Sequence, residues 1–397
     1  MKRSLFAIAL IVMVLAAGCS QSSEGSSSSS SPSDEASASS DPIVIGYSGG
    51  FSGATASFGT PIFEAVKYAV EEVNATGGIM GRPLEMVEED NEGDPFKGQQ
   101  IIEKFTSEDI QFVLSGSSSA VALSEKQKIE MNKMLGIAAT AADPKVVNTT
   151  DPYYFSAIPN SDYLGGSIAY YAAKDLGVKE VIIFIRDDAY GKSIYNPFKA
   201  IGEKNGLSIV KEYTYPVNAK DFTSYLSQGL KDHPNAYIMI TGYAPDGGLI
   251  AKQARGLGYD KPILGNVSLT NKEYSDIAGE ASDDLIVAAT SNIAGEAPEG
   301  SMQKKFAEAW EAKHGERPDD YEVRGYDVVY LLKTAIENAN SLEPEEVRKA
   351  LLQIKDFDGA SGMLSFNENG GIQKTLFIIK MKGATPELVK EINPQDL

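Results

Sequence analysis

The sequence predicts an α/β protein: two doubly wound, open parallel sheets in tandem, preceded by a segment that is not part of the fold. Three observations carry that reading. Short apolar, β-branched runs alternate with helical patterns, which is the signature of a parallel sheet covered on both faces. The alternation stops and then starts again near the middle of the chain. The 397 residues suffice for two domains with a core each.

The first forty residues are read separately. Lys2 and Arg3 precede the apolar run 5–16, and small residues follow at Ala17 and Gly18, the pattern of a secretion signal over 1–18. The run is shorter than the roughly 20 apolar residues that cross a bilayer. Leu15-Ala16-Ala17-Gly18-Cys19 is similar to the lipobox of bacterial lipoproteins, and that resemblance implies cleavage before Cys19 and a lipid on its sulfur. Cys19 is the one cysteine of the chain, so no disulfide can form within it. Residues 19–42 are dominated by serine and bury too little apolar surface to offset chain entropy; they read as a disordered tether.

Folding starts at Ile43-Val44-Ile45, a strand buried on both faces. A helix follows, with Thr60 as cap, Pro61 in its first position and Ile62, Val66, Ala69, Val70 and Val73 as its apolar stripe. Gly77-Gly78 ends it. Strands are then predicted at 84–88, 112–114 and 135–139, with helices over 95–105 and 120–134. The second half repeats the scheme: strands at 181–185, 207–213 and 236–240, helices over 194–205, 222–231 and 249–257. Helices over 302–313 and 326–339 and a strand at 376–380 complete the chain.

Composition excludes several functions. The net charge of −19 argues against nucleic acid, whose phosphates require a Lys/Arg patch. Two histidines, His233 and His314, lie far apart without ligand-like neighbours, so no metal or other cofactor is expected. Gly46-Tyr47-Ser48-Gly49-Gly50 matches the G-x-S-x-G pattern of hydrolases and follows a strand, but the predicted helix begins too late to hold Ser48 on a strained turn. An envelope hydrolase using Ser48 is the weakest of three readings.

Candidate binding residues cluster at the carboxyl ends of strands. Ser117, Ser118 and Ser119 lie between a strand and the next helix, where free N–H groups and hydroxyls can take an anion or carbonyl. Thr140 ends the next strand at the same edge. Tyr190 and Tyr243 follow strands of the second half and Phe58 lies in the first loop, placed to wall a cleft between the sheets.

From Ile43 to about Lys382 the chain resembles the branched-chain amino acid-binding family of ABC transporter receptors. The carrying residues are Ile45-Gly46, Ser52-Gly53, Phe58-Gly59, Ala65, 74–79, Asp90, Asp94-Pro95, 116–120, Asp143-Pro144, Tyr190-Gly191, Gly242-Tyr243 and 256–258. The resemblance implies the type I periplasmic binding protein fold, two lobes joined by three crossovers, with lobe 1 at 43–158 and 293–362 and lobe 2 at 159–292 and 363–397. It further implies that Ser118, Ser119 and the stretch Thr140 to Ala142 bind the ligand's polar end, and that Phe58, Tyr190 and Tyr243 line the cleft. Two departures bear on the ligand. Ala142 stands where amino acid binders have threonine, and Asn266-Val267-Ser268 where they have a glutamate. A buried ammonium needs an acidic partner, and Asp162 near a crossover is the available substitute.

The expected function is therefore an extracytoplasmic solute-binding lipoprotein of an ABC importer. It would close by a hinge on a branched-chain or other amino acid, or a related amide or aromatic acid. Its partners would be the permease membrane subunits and, through the anchor, the membrane, with the chain itself a monomer. A ligand-sensing receptor of a signalling system is the alternative.

Overall fold

The computed structural model describes residues 41–147, 150–295, 297–383 and 385–393. The signal segment, Cys19 and all but the end of the tether lie outside the described residues.

The first sheet takes β1 (Ile43–Gly49), β2 (Leu84–Asp90), β3 (Phe112–Gly116), β4 (Leu135–Ala138) and β5 (Tyr154–Ser156) in the order β2-β1-β3-β4-β5, every pair parallel. Between them run α1 (Ala56–Ala75), α2 (Pro95–Ser107), α3 (Ser119–Asn132) and the short α4 (Pro144–Val147). The central strands β3 and β4 are buried throughout and β1 at every position but Val44, while the edge strand β2 exposes Glu85 and Glu88. Ile62, Val66, Ala69 and Val73 of α1 are all fully buried, so its predicted stripe is the face that packs on the sheet.

The start of α1 differs from the sequence expectation. It begins at Ala56 with Thr55 at its cap, and Pro61 sits inside it rather than in its first position. A proline in a helix withholds its N–H from the carbonyl four residues back, here that of Ser57. That carbonyl accepts instead from Asn271 Nδ2, at 3.0 Å, which supplies the partner that proline withholds.

The chain next crosses to the second sheet. In order come α5 (Ser161–Lys174), β6 (Glu180–Arg186), α6 (Ala189–Lys204), β7 (Ser208–Tyr215), α7 (Thr223–Asp232), β8 (Tyr237–Ile240), α8 (Ala244–Gly256), β9 (Ile263–Asn266), α9 (Lys272–Ala278) and β10 (Leu285–Ala289). It returns to the first lobe as α10 (Met302–His314), α11 (Asp320–Ala339), which packs along α1, and α12 (Pro344–Leu352). The small antiparallel strands β11 (Phe357–Gly359), β12 (Gly362–Phe366) and β13 (Ile372–Gln373) follow. A third crossing delivers β14 (Leu376–Lys382) and β15 (Thr385–Ile392), an antiparallel pair that closes one edge of the order β15-β14-β10-β9-β8-β6-β7. The second sheet is therefore mixed at one edge and parallel elsewhere. This is the fold expected from the sequence: two α/β lobes linked by three crossovers.

Candidate functional site

Both sheets point the carboxyl ends of their parallel strands at the groove between the lobes, where open α/β sheets bind ligands. The aromatic residues meet there. Phe58, in the first turn of α1, packs against Tyr243 from the other lobe with ring centroids 5.0 Å apart. Tyr243 in turn stacks on Tyr190, again at 5.0 Å and with planes 13° apart. On its other side Phe58 stacks on Tyr321 of α11 at 5.7 Å. Four rings from four elements thus form one continuous wall across the groove.

Local backbone demands explain two of the motifs that frame this wall. Gly59 lies so close to the Gly50 carbonyl that an added Cβ would stand 2.0 Å from the oxygen. At Gly242 an added Cβ would meet the Asp246 carboxylate at 1.9 Å and the Tyr215 hydroxyl at 2.2 Å. Glycine before Tyr243 is what lets Asp246 turn back under the strand end. There Asp246 accepts from Arg186 Nη1 at 2.7 Å and from the Tyr215 hydroxyl, while Arg186 Nε donates to Asp188, also at 2.7 Å. The Arg186 guanidinium lies 4.8 Å from the Tyr243 ring centre, a cation over an aromatic face. Burial opposes the Arg186 charge, but Asp246, Tyr243 and Asp188 outweigh it and raise its pKa.

Tyr190 is held by its hydroxyl, which donates to Asn266 Oδ1 and accepts from Ser268 Oγ, both at 2.9 Å. Ser268 also bonds the Tyr321 hydroxyl. Burial first, and neighbouring negative charge after it, raise the pKa of Tyr243; burial likewise raises those of Tyr190 and Tyr321, so all three remain neutral phenols. Asn266 and Ser268, the departures noted in the sequence, therefore position Tyr190.

The serine loop divides its three hydroxyls. Ser117 Oγ turns into the core and donates to Glu125 Oε1 at 2.9 Å, joined on that buried carboxyl by Ser48 at 2.6 Å, Ser115 at 2.8 Å and Tyr154 at 3.0 Å. Burial raises the Glu125 pKa against the pull of those four donors. Ser119 Oγ accepts from the Asp143 N–H at 3.2 Å. Ser118 is the N-cap of α3 and makes no side-chain cap bond there. The expectation of three convergent serines is thus corrected: the loop turns Ser117 inward because α3 carries Glu125 beneath it. The same network fully buries Ser48 with its hydroxyl committed to Glu125, which removes it as a nucleophile.

Ala142 is buried, and its carbonyl accepts from both the N–H and the hydroxyl of Ser161. Ser161 Oγ lies 2.7 Å from Ser193 Oγ, and Ser193 donates to the Tyr190 carbonyl, so the Ala142 strand end is tied to the Tyr190 helix. Thr140 is half-buried at the end of β4. Asp162 is exposed in the first turn of α5, and burial of its carboxyl together with the charge of Asp143 raises its pKa. The structure brings Phe58, Tyr190 and Tyr243 into direct contact and links Ala142 to Tyr190; Asp162 lies within electrostatic reach of Asp143.

Sequence reasoning passed over Arg186, Tyr321 and Arg324. Arg324 is 1% exposed. Its Nη1 donates to Thr290 Oγ1 at 2.9 Å and to Asp320, and its guanidinium lies 5.0 Å from the Tyr321 ring centre. Asp320 also accepts from Thr290 and Ser291, on the second crossover. The signal that could have found Tyr321 and Arg324 was the box Asp319-Asp320-Tyr321-Glu322, a helix start whose reciprocal bonds are both present.

Among the described residues no group of histidine, cysteine, aspartate and glutamate is placed to hold a metal ion. No helix among them is long and apolar enough to cross a membrane.

Comparison with known proteins agrees with this architecture. The family described as periplasmic binding protein matches residues 42–385. A Leu/Ile/Val-binding protein of Rhizobium johnstonii is 28% identical over 336 residues, 84% of this chain and 90% of that one. The solved leucine-binding protein LivK of Thermotoga maritima superposes with a TM-score of 0.83 at 26% identity, covering 89% of this chain and all of the other. LivJ of Streptococcus pneumoniae, solved with isoleucine, gives 0.81 at 26% identity over 88% of this chain and 99% of its own. A solute-binding protein of Rhodopseudomonas palustris solved with 3,4-dihydroxybenzoic acid shares the fold at 21% identity, with a TM-score of 0.80 over 89% and 98% of the two chains. With its matched segment spanning nearly the whole folded body, the chain belongs to the periplasmic binding protein family.

Proposed function

We propose that this chain is the solute receptor of an ABC importer, held to the outer side of the cytoplasmic membrane or in the periplasm by a lipid on Cys19. The observation that carries the reading is the aromatic wall: Phe58 of one lobe meets Tyr243 of the other at 5.0 Å, and Tyr190 continues the stack. Such a contact exists only when the lobes are closed, so the residues at the groove are those whose contacts change with the hinge. The relatives bind branched-chain amino acids by name, and one neighbour was solved with an aromatic acid. These support a small polar solute of the amino acid or aromatic acid class. Phe58, Tyr190 and Tyr243 would cover its apolar part, and Ser118, Thr140 and the Ala142 backbone its polar end, with Ser119 bracing Asp143.

The test is a thermal-shift screen of amino acids, amides and aromatic acids on the soluble part from Asp41, since a solute that binds only the native state raises the melting point. Tyr190→Ala and Tyr243→Ala are expected to abolish the shift while the unliganded proteins stay folded. Full response in both variants would place the cleft elsewhere.

A further inference from the structure

Closure sets one carboxyl group where water cannot follow it. Ser57, in the first turn of α1, is gripped by the start of α9 from the other lobe: its carbonyl accepts from Asn271 Nδ2 at 3.0 Å, and its hydroxyl donates to the Glu273 carboxyl. That bond uses one oxygen of Glu273. The other, Oε2, is buried without a partner. A cavity of about 400 Å³ lies beside it, between Gly53, Ala56 and Ser57 of the first lobe and Arg186, Lys220 and Asp246 of the second. Oε2 is closed off even from that space. Among the described residues no cation answers it. Burial is the larger cause that raises the Glu273 pKa, and Asp276 on its own helix and Asp246 on α8 add to it, against the Ser57 bond. Lys272 is engaged by Asp276, and Arg186 by Asp246 and Asp188. Lys220 lines the cavity but stays exposed. The nearby carboxyls of the first lobe, Asp319 and Glu322, belong to the α11 cap, where Asn271 also donates to Asp319.

In the open form the first lobe withdraws with Ser57, and water reaches both oxygens. The helix start and the two aspartates belong to the same lobe as Glu273 and persist. What closure adds is the loss of water, which strengthens the repulsion from both aspartates, and the Ser57 bond, which opposes it. An ionised oxygen sealed without a donor costs more than one hydrogen bond from a hydroxyl returns. A proton is the one species that can relieve it there. We propose that closing the lobes loads a proton onto Glu273, so that the receptor grips its solute more tightly in acid. This rests on the reading of the groove as a solute site and adds a regulation to it. A group whose pKa is higher in the closed form favours closure as pH falls. Affinity is flat while both forms are ionised, climbs below the raised closed-form value, and levels off once the open form protonates as well, near the ordinary 4.5. One proton sets a ceiling of about tenfold per pH unit.

The experiment is calorimetry with L-leucine and with benzoate on the soluble chain from Asp41, from about pH 7.5 to about pH 5. Each titration is run in two buffers of different ionisation enthalpy, so that the heats count the protons taken up. Wild type is compared with Glu273→Gln and Ser57→Ala. Glutamine keeps the acceptor for Ser57 and mimics the protonated acid, and an unchanged unliganded melting point verifies that the variant folds. Wild type is expected to take up protons on binding in acid and to gain at least about threefold in affinity across the range. Glu273→Gln should lose both the uptake and the gain, and in neutral solution it should bind more tightly than wild type. Ser57→Ala should keep the uptake, because its lost hydroxyl opposed the proton. A contact that is merely structural would instead leave Glu273→Gln equal to or weaker than wild type at every pH. That result, proton uptake unchanged in Glu273→Gln, or a wild-type affinity that falls in acid, overturns the inference and leaves the solute site standing. If neither compound binds but another solute of the screen does, that solute takes their place in the same titration; if nothing binds at any pH, both readings fall.

Discussion

Asn271 is the position where closure can be perturbed without touching the aromatic wall. Its amide donates from the second lobe to two acceptors of the first, the Ser57 carbonyl at 3.0 Å and Asp319 Oδ2 at 3.3 Å. Its Oδ1 separately caps α9 by accepting from the Glu273 N–H. In Asn271→Asp the cap survives, because a carboxylate accepts as well as an amide and suits a helix N-terminus. Both bridging contacts are lost. The bond to Ser57 is worth about 1 kcal/mol net. The second contact becomes a carboxylate pair near 3.3 Å, which repels by about 1 kcal/mol even at the dielectric constant of water. Together they disfavour the closed state by about 2 kcal/mol. For a molecule that is mostly open without ligand, the whole of that penalty appears in affinity, a loss of about 30-fold. Calorimetry with the tightest solute from the screen measures the loss, and small-angle scattering of the liganded protein follows the shape. Acidification that protonates the introduced carboxyl should restore part of the affinity relative to wild type. A dissociation constant within twofold of wild type, with unchanged scattering, would refute the claim that these contacts hold the lobes together.

Other expectations address the core, the hinge and the anchor. Glu125→Ala strands the hydroxyls of Ser48, Ser115, Ser117 and Tyr154 in the interior and should lower stability by about 3 kcal/mol or more in denaturant titrations; a loss under about 1 kcal/mol would show that the network is dispensable. Lys374 is buried, and desolvation lowers its pKa to about 8 despite the nearby Asp327. A depressed pKa contributes stability above the unfolded value near 10.5 that is lost as pH falls through about 8. Wild type should therefore gain up to about 3 kcal/mol relative to Lys374→Met between pH 8 and 10.5. A flat difference across that window would contradict a buried, neutralised lysine. Cys19→Ser should move the protein from the membrane fraction to the soluble one and remove the mass of a lipid from its amino terminus; unchanged membrane recovery would exclude the anchor.

The parts of the fold that were legible in the sequence are those where burial imposes a period. Central strands such as β1 and β6 read as unbroken apolar runs, and the stripe of α1 fell on the predicted residues. Helix starts were read late for one repeated reason. Helices expected at 194, 249 and 326 begin at Ala189, Ala244 and Asp320. In each the first turn carries a side chain of the aromatic wall or its support: Tyr190, Asp246 or Tyr321. A turn that serves a site has no reason to follow the hydrophobic repeat, so periodicity finds such a helix only after its functional residues have passed. The same effect hid the single turn of 3-10 helix at Gly53–Thr55 and the first turn of α1, where Phe58 lies. The edge strand β15 escaped for the opposite reason. With Glu387, Lys390 and Glu391 along it, it is mostly exposed and lacks an apolar signature.

The described contacts also bound how strongly this protein can close by itself. Between the lobes stand one aromatic pair, Phe58 with Tyr243, the two bonds of Asn271, the Ser268 bond to Tyr321 and the bond between Glu273 and Ser57. At about 1 kcal/mol for the ring pair and a similar net value for each hydrogen bond, direct contact stabilises closure by roughly 5 kcal/mol. Water-bonded surfaces, ordered side chains and the apposition of two acidic lobes oppose it in a chain of net charge −19. Carrying an equilibrium from one closed molecule in a hundred to ninety-nine takes about 5.5 kcal/mol of differential binding. A solute contacting Phe58, Tyr190 and Tyr243 together can supply that, because its interactions with both lobes exist only in the closed state. Closure would then report occupancy, which is what a permease must read to accept loaded receptor and pass over empty receptor.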